Sequence, residues 1–247
     1  MSAGQFNVTG ITALSQTRHA GLGWYPPTAS SALFVEEPYI PLALVEIDRF
    51  SIRMPIVLHR TAGRVQPVIP IGAFGEHPTY FTNERGQWRV PHVPGALLLG
   101  PFSCKQAGKH QLILVDTAKL GAVKDDSARL PLFEEGAGTH PETQAHIERV
   151  MGWARGERQA ARAAQALANA GLLVRWSEKD ETLFRVDAEA LAAVSEPVAA
   201  QLHRLGALRL AHLCTASLGT VSVALRQTPI QKEEPANDFL AALQGDW

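Results

Sequence analysis

Nine histidines and two cysteines are the side chains in this sequence most able to hold a metal or attack a substrate. Neutral imidazole ligates zinc or iron, and a thiolate beside a base is a nucleophile. No histidine pair has the HxxxH or HExxH spacing that brings two ligands onto one helix face. Glu76, His77 and His92 remain as metal candidates. They fall in a proline-rich stretch and would converge only through tertiary folding, so the spacing itself calls for no metal and no cofactor. Cys104 follows Pro101-Phe102-Ser103, but no Gly-x-Ser-x-Gly elbow is present and nothing local sets His110 against the thiol. Both cysteines read as small apolar residues, and no catalytic residue is assigned. Neither Gly-x-x-x-x-Gly-Lys-Ser/Thr nor Gly-x-Gly-x-x-Gly occurs, which disfavours the usual glycine cradles for phosphate.

Three other features concern surfaces. Arg155, Arg158 and Arg162 recur at i, i+3 and i+7; they could present guanidinium forks to carboxylates, although a solvated helix face explains them as well. The stretch from Trp88 to Phe102 carries an indole, prolines at 91, 94 and 101 and glycines at 95 and 100, a rigid platform that makes Trp88 a partner-binding candidate. Residues 237–243, Asn-Asp-Phe-Leu-Ala-Ala-Leu, can cap and form two turns of amphipathic helix, with Trp247 just beyond. Phe239, Leu240, Leu243 and Trp247 have no reason to be apolar if they face only water, so they are candidates for binding a protein or peptide, or for self-association.

The elements that position these residues divide at about residue 139. Eleven of the 16 prolines lie between Pro26 and Pro101, which forbids long helices there. Short apolar runs at 42–47, 56–59, 65–71, 97–99 and 111–115 read as strands of one largely antiparallel sheet, bulged or at an edge where Pro55, Pro67 and Pro70 remove donors. Thr139-His140-Pro141-Glu142 has capping-box spacing, and eight of the 17 residues from Ala154 to Ala170 are alanine, so a helix of about 30 residues is expected, ending at Gly171. Residues 172–176 and 182–186 read as a β-hairpin. Asp187 and Ser195 read as caps of two further helices, and the stripe Leu210, Leu213, Cys214, Ser217, Leu218 and Val221 as the buried side of a third, placing His203 and His212 in core or flanking positions. The fold class expected is α+β: a proline-rich, mainly antiparallel sheet in the N-terminal half, packed against a long helix and a C-terminal helical layer. Residues 1–225 read as one domain, β-rich over 30–135 and helical over 139–225. The polar run 226–235 reads as a linker to the amphipathic tail, the two together spanning 226–247.

With 247 residues, 46% hydrophobic and only 19% charged, the chain can bury a sizeable core without disulfides. Its 23 basic residues are balanced by 24 acidic ones, which removes the electrostatic term that drives non-specific nucleic-acid binding. No basic n-region precedes an apolar run, and no stretch has the apolar length a bilayer requires, so a cytoplasmic location without membrane insertion is expected.

The order of landmarks resembles the SapC family of bacterial proteins. The matching pieces are Pro41-Leu42-Ala43-Leu44-Val45-Glu46, Met54-Pro55-Ile56-Val57, Trp88 with Val93-Pro94, and Pro101-Phe102; then Leu132-Phe133 with Gly136, Gly171-Leu172-Leu173, Val186-Asp187, Leu205-Gly206-Ala207-Leu208 and Leu210-Ala211-His212-Leu213 with Ser217-Leu218. Members are often encoded near outer-membrane uptake receptors, flavin-dependent halogenases and cupin-like hydroxylases. The resemblance implies a non-catalytic accessory or protein-interaction role, linked to a surface or uptake system or to a neighbouring modifying enzyme. It supplies no catalytic residue. The alternatives are a metal-dependent (iron or zinc) enzyme using Glu76, His77 or His92, and a small-molecule-binding protein. Relatives tend to carry an arginine just before the Pro-Phe pair, where this chain has Leu97-Leu98-Leu99-Gly100.

Overall fold

In the computed structural model, the residues described are 10–27, 38–71, 88, 90, 92–134, 136, 138–176, 178 and 180–220. They are mixed α and β, as the α+β reading requires. The first part of the chain gives β1 (Ile11–Ala13), α1 (Gln16–His19), β2 (Leu22–Trp24), β3 (Ile40–Pro41), α2 (Ile47–Ser51), β4 (Val57–Thr61) and β5 (Arg64–Ile69). β6 (Phe102–Ala107), β7 (His110–Asp116), β8 (Gly121–Ala122) and β9 (Leu130–Pro131) follow. After α3 (Pro141–Asn169) come β10 (Leu173–Arg175), β11 (Leu183–Val186), α4 (Ala188–Ala192), α5 (Glu196–Arg204) and α6 (Ala207–Ser217). Instead of one sheet, the described strands form three antiparallel sheets, β1-β7-β6, β8-β2-β9 and β10-β11-β4-β5-β3.

The chain divides into two compact units, Met1–Leu33 with Leu97–Arg155, and Phe34–Ala96 with Gly156–Trp247. In the first, Trp24, Phe102 and Val115 from the two small sheets and Leu132 just after β9 meet Ile147 and Val150 of α3. Ile147 and Val150 stand three residues apart on one face of α3, and both are buried. Pro131 lies in β9, an edge strand, where a missing N–H costs no ladder bond.

Polar groups in this core are satisfied in series. The Trp24 indole N–H donates to Thr143 Oγ1 at 3.0 Å, and that hydroxyl donates to the Pro131 carbonyl at 2.7 Å. His146, 5% exposed, stacks at 4.5 Å on Trp24, and its Nε2–H donates to the Leu99 carbonyl at 3.2 Å. Gly100, at φ +61°, lies across Trp24; a Cβ there would sit 3.1 Å from the indole.

In the second unit the hairpin β10–β11 extends the β4–β5–β3 sheet through Leu183↔His59 and Phe184↔Leu58. Pro67 pairs with Leu58 of β4, and on its other side only its carbonyl is used, by the Leu42 N–H at 3.1 Å; β3 pairs no further than Val68. α3 ends in a Schellman motif: Gly171 at φ +71° donates to Ala168, and Leu172 donates to Leu167, each at 3.1 Å. The alanine-rich half of α3 allows close approach, since a Cβ on Gly156 would lie 3.0 Å from that of Ala43. Asp187 caps α4 through the Glu189 and Ala190 N–H groups, and Gly206 at φ +72° separates α5 from α6. α6 is tied to the start of β4 by Ser217, whose buried hydroxyl accepts the Ile56 N–H at 2.9 Å and donates to the Cys214 carbonyl at 2.6 Å.

Two elements differ from the sequence reading. Residues 42–47 form a 3-10 turn, Leu44–Glu46, running into α2, and residues 97–99 fall in or beside a second one, Gly95–Leu98. The Glu46 carboxylate, described below, accepts a backbone N–H at the start of each of these turns. β1, α1 and β2 lie in a part of the chain where no element was expected, because runs of three or four residues carry too little pattern to be seen.

Two outcomes follow for stability. Ser217→Ala leaves the Ile56 N–H buried without its acceptor and should cost about 1–3 kcal/mol, read as a lower urea midpoint; an unchanged midpoint would refute the tie. Burial holds the His146 imidazole below its ordinary value of 6.5, so the native state keeps it neutral where the unfolded chain binds a proton. Stability contributed by this group is therefore complete above pH 6.5 and falls as pH drops below it, by up to about 1.4 kcal/mol per pH unit. His146→Gln, which keeps a donor for Leu99 but does not titrate, should be less stable than the parent near pH 8, with the gap narrowing below pH 6.5. A gap independent of pH would show that burial of the imidazole is not what the native state pays for.

Candidate functional site

The side chain with the most consequences in the second unit is Glu46. Its Oε2 accepts the Ala43 N–H at 2.8 Å, and its Oε1 accepts the Gly95 N–H at 2.7 Å. Ala43 is fully buried, so without the carboxylate its donor would have no solvent to turn to. Capture of Ala43 three residues upstream starts a turn, the glutamate half of a capping box with alanine where serine or threonine usually stands. That Ala-x-x-Glu spacing was the available signal. The apolar composition of 42–47 hid it.

Once 44–51 is helical, alternate residues no longer share a side. Ile47, Phe50, Ser51 and Met54 turn inward, whereas Val45 (78% exposed) and Ile52 (73% exposed) turn out, with Asp48 and Arg49 between them. α6 packs beside this face. Arg209 forms a bidentate ion pair with Asp48, and Leu44 lies 3.5 Å from where a Gly206 Cβ would stand. Leu205, in the turn just before Gly206, is 42% exposed. Val45, Ile52 and Leu205 are thus exposed aliphatic side chains, and Arg49, Arg53, Arg204 and Arg209 are exposed as well, the last of them paired with Asp48.

A second cluster in this unit joins β4 to the β10–β11 hairpin. The Tyr39 hydroxyl donates to Asp180 Oδ2 at 2.6 Å, while Thr182 donates its N–H (2.8 Å) and hydroxyl (2.5 Å) to Oδ1. The His59 ring stacks on Tyr39 at 4.2 Å. Burial works to raise the Asp180 carboxyl, but the bonds from Thr182 and Tyr39 outweigh it and hold the group below the usual carboxylate value. Burial also raises the Tyr39 phenol, aided by its bond to Asp180, and lowers the His59 imidazole against the pull of the Asp180 charge. The neutral-pH state is a charged Asp180 with both oxygens occupied, a protonated phenol and a neutral imidazole. This arrangement closes a loop.

The residues singled out from sequence fare as follows. Trp88 is half-buried, and its indole N–H donates to the backbone carbonyl of His92 at 3.0 Å. Glu76, His77, Phe239, Leu240, Leu243 and Trp247 lie outside the described residues. Among the described residues no group of three or more His, Cys, Asp or Glu could hold a metal ion. Arg155 and Arg162 are exposed and Arg158 half-exposed, a solvated helix face. His203 and His212 are exposed on α5 and α6; the histidines at 3% and 5% exposure are His19 and His146, which no spacing marked out. Cys104 is half-buried in β6, whereas burial pushes the Cys214 thiol up to about 12, leaving it protonated. The stretch Leu97-Leu98-Leu99-Gly100, where an arginine was expected from the resemblance, supplies the Leu99 carbonyl to His146 and the bare Gly100 backbone to Trp24.

No helix among the described residues is long and apolar enough to cross a membrane. A search of curated proteins and of solved structures finds no match to this chain. A family model described as SapC, by contrast, matches residues 14–223, a span that takes in the Glu46 turn, the Gly95 loop, the α3 stop at Gly171 and the α5–α6 turn. Those pieces come from separate parts of the chain and are held together by the contacts above, and on that match the chain belongs to the SapC family.

Proposed function

We propose that the protein is a non-catalytic accessory protein that works through a contact surface, and that the surface is the face of Val45, Ile52 and Leu205. The observation that carries this is the exposure of two aliphatic side chains, Val45 and Ile52, with the exposed Arg49 between them. Arginine around an apolar centre is the composition of protein interfaces and selects a partner with the opposite charge. The partner's contacting element is therefore an acidic amphipathic segment. Burying these side chains is worth about 3–5 kcal/mol before the costs of association, a weak and reversible contact that the rim charges strengthen and speed.

The polar groups best suited to chemistry support the same reading. Glu46, Asp180 and His146 each spend hydrogen bonds on backbone or loop partners. In this proposal Trp88 and the tail residues Phe239, Leu240, Leu243 and Trp247 are further contact elements. The setting suggested by the family, a surface or uptake system or a neighbouring modifying enzyme, supplies the class of partner.

The test replaces Ile52 by a photo-cross-linking phenylalanine in the native host, with exposed Lys105 as the control position. The expected result is an adduct from position 52, and not from 105, with an acidic amphipathic segment of a second protein. Val45→Glu should abolish it. Equal labelling at both positions, or no second protein at 52, would overturn the reading.

A further inference from the structure

The β6–β7 hairpin of the first unit leaves one strand edge open. The Asp116 N–H donates to the Pro101 carbonyl at 2.8 Å, so Pro101 and Asp116 are a hydrogen-bonded pair, and in an antiparallel ladder such pairs recur at every second residue. In the register that runs from Phe102↔Val115 to Ala107↔His110, Ser103, Lys105 and Ala107 therefore turn their N–H and C=O groups toward β7. Cys104 and Gln106 turn theirs the other way. Among the described residues no strand lies on that side, and none bonds the Cys104 or Gln106 backbone there. Ser103, Lys105, Gln106 and Ala107 are all exposed. An edge of this kind is completed by the backbone of an extended segment.

Charge decides which segment. From Pro101 to Val115 the chain has Lys105 and Lys109 and no aspartate or glutamate, and both lysines are exposed and form no ion pair with a described residue. Two copies joined edge to edge would set these lysines near their like, which is destabilising, so a second copy is the wrong occupant. Lysine on an edge also turns away strands that bring no compensating charge, and a strand with carboxylates beside Lys105 and toward Lys109 is the one it admits. The two sides of the sheet differ as well. Phe102 and Cys104 point into the Trp24 cluster, and Lys105 points away from it, so a segment that alternates apolar and acidic residues offers each to the matching side. We infer that β6 takes up an extended acidic segment of a partner protein as an added strand of the sheet β1-β7-β6. This site stands apart from the Val45 and Ile52 surface, which belongs to the other unit.

The test uses the full chain and two synthetic peptides at low ionic strength, one alternating valine with glutamate and one alternating valine with lysine. Residue-resolved hydrogen exchange should show the Cys104 and Gln106 N–H groups slowed by the glutamate peptide, while those of Ser103 and Lys105, already bonded to β7, stay as they were. The glutamate peptide should bind about tenfold more tightly than the lysine peptide, and Lys105→Glu/Lys109→Glu should reverse that preference. Gln106→Pro removes an outward donor and no bond to β7, and should weaken the glutamate peptide several-fold. Gln106→Ala, which loses only the side-chain bond to the Gly108 carbonyl, should bind it as the parent does. No binding of either peptide, binding without protection of Cys104 and Gln106, a preference that charge reversal leaves unchanged, or full binding by Gln106→Pro would each overturn the inference. So would protection that grows with protein concentration in the absence of peptide, the mark of a second copy. None of these outcomes bears on cross-linking at position 52, and the uncharged phenylalanine analogue at position 105 removes a charge this edge requires, so that control stays silent.

Discussion

The bifurcated role of one carboxylate underlies the arrangement of the second unit. Glu46 takes up the N–H of Ala43, three residues before it, and of Gly95, 49 residues after it. Each donor without an acceptor in a buried setting would cost about 1–3 kcal/mol, so the two bonds fix the path of two segments at once. The first becomes a helical turn in place of a strand. In a strand, Val45 would lie opposite Leu44 and Glu46; in the turn it shares a side with Asp48, Arg49 and Ile52. The exposed apolar face is a consequence of that change in period. The same Ala43 lies so close to α3 that a Cβ at position 156 would stand 3.0 Å from its own.

The first unit solves a different problem. Its sheets are short, and its core contains an indole, a threonine and an imidazole. These groups are tolerated because each donor has an acceptor, Trp24 to Thr143, Thr143 to Pro131 and His146 to Leu99. The stacking of His146 on Trp24 and Phe102 completes the layer. Polar groups committed in this way act as struts.

Local signals were legible where a few consecutive residues decide the outcome. The cap at Asp187, the stop at Gly171, the hairpin of β10 and β11 and the burial of Ile147 and Val150 follow from propensity, spacing and φ > 0 at glycine, and the structure contains them. The candidate contact face was not legible. Val45 sits in an apolar run that read as a strand, and nothing in its residue type distinguishes it from the buried Ile47. The division of strands among three sheets was hidden for a related reason, since strands of two or three residues carry no periodicity.

By itself, the sequence determined the α+β class, the length and limits of the long helix, the near-neutral charge and an acidic apolar segment at 236–247, because each depends on residue types and short spacings. Tertiary structure alone decided that Glu46 would reach Gly95, that His146 would be buried while His203 and His212 stayed outside, and that Val45, Ile52 and Leu205 would be exposed. Those outcomes depend on which distant segments meet. A side chain's exposure is a property of its neighbours in space, and chain order does not specify them.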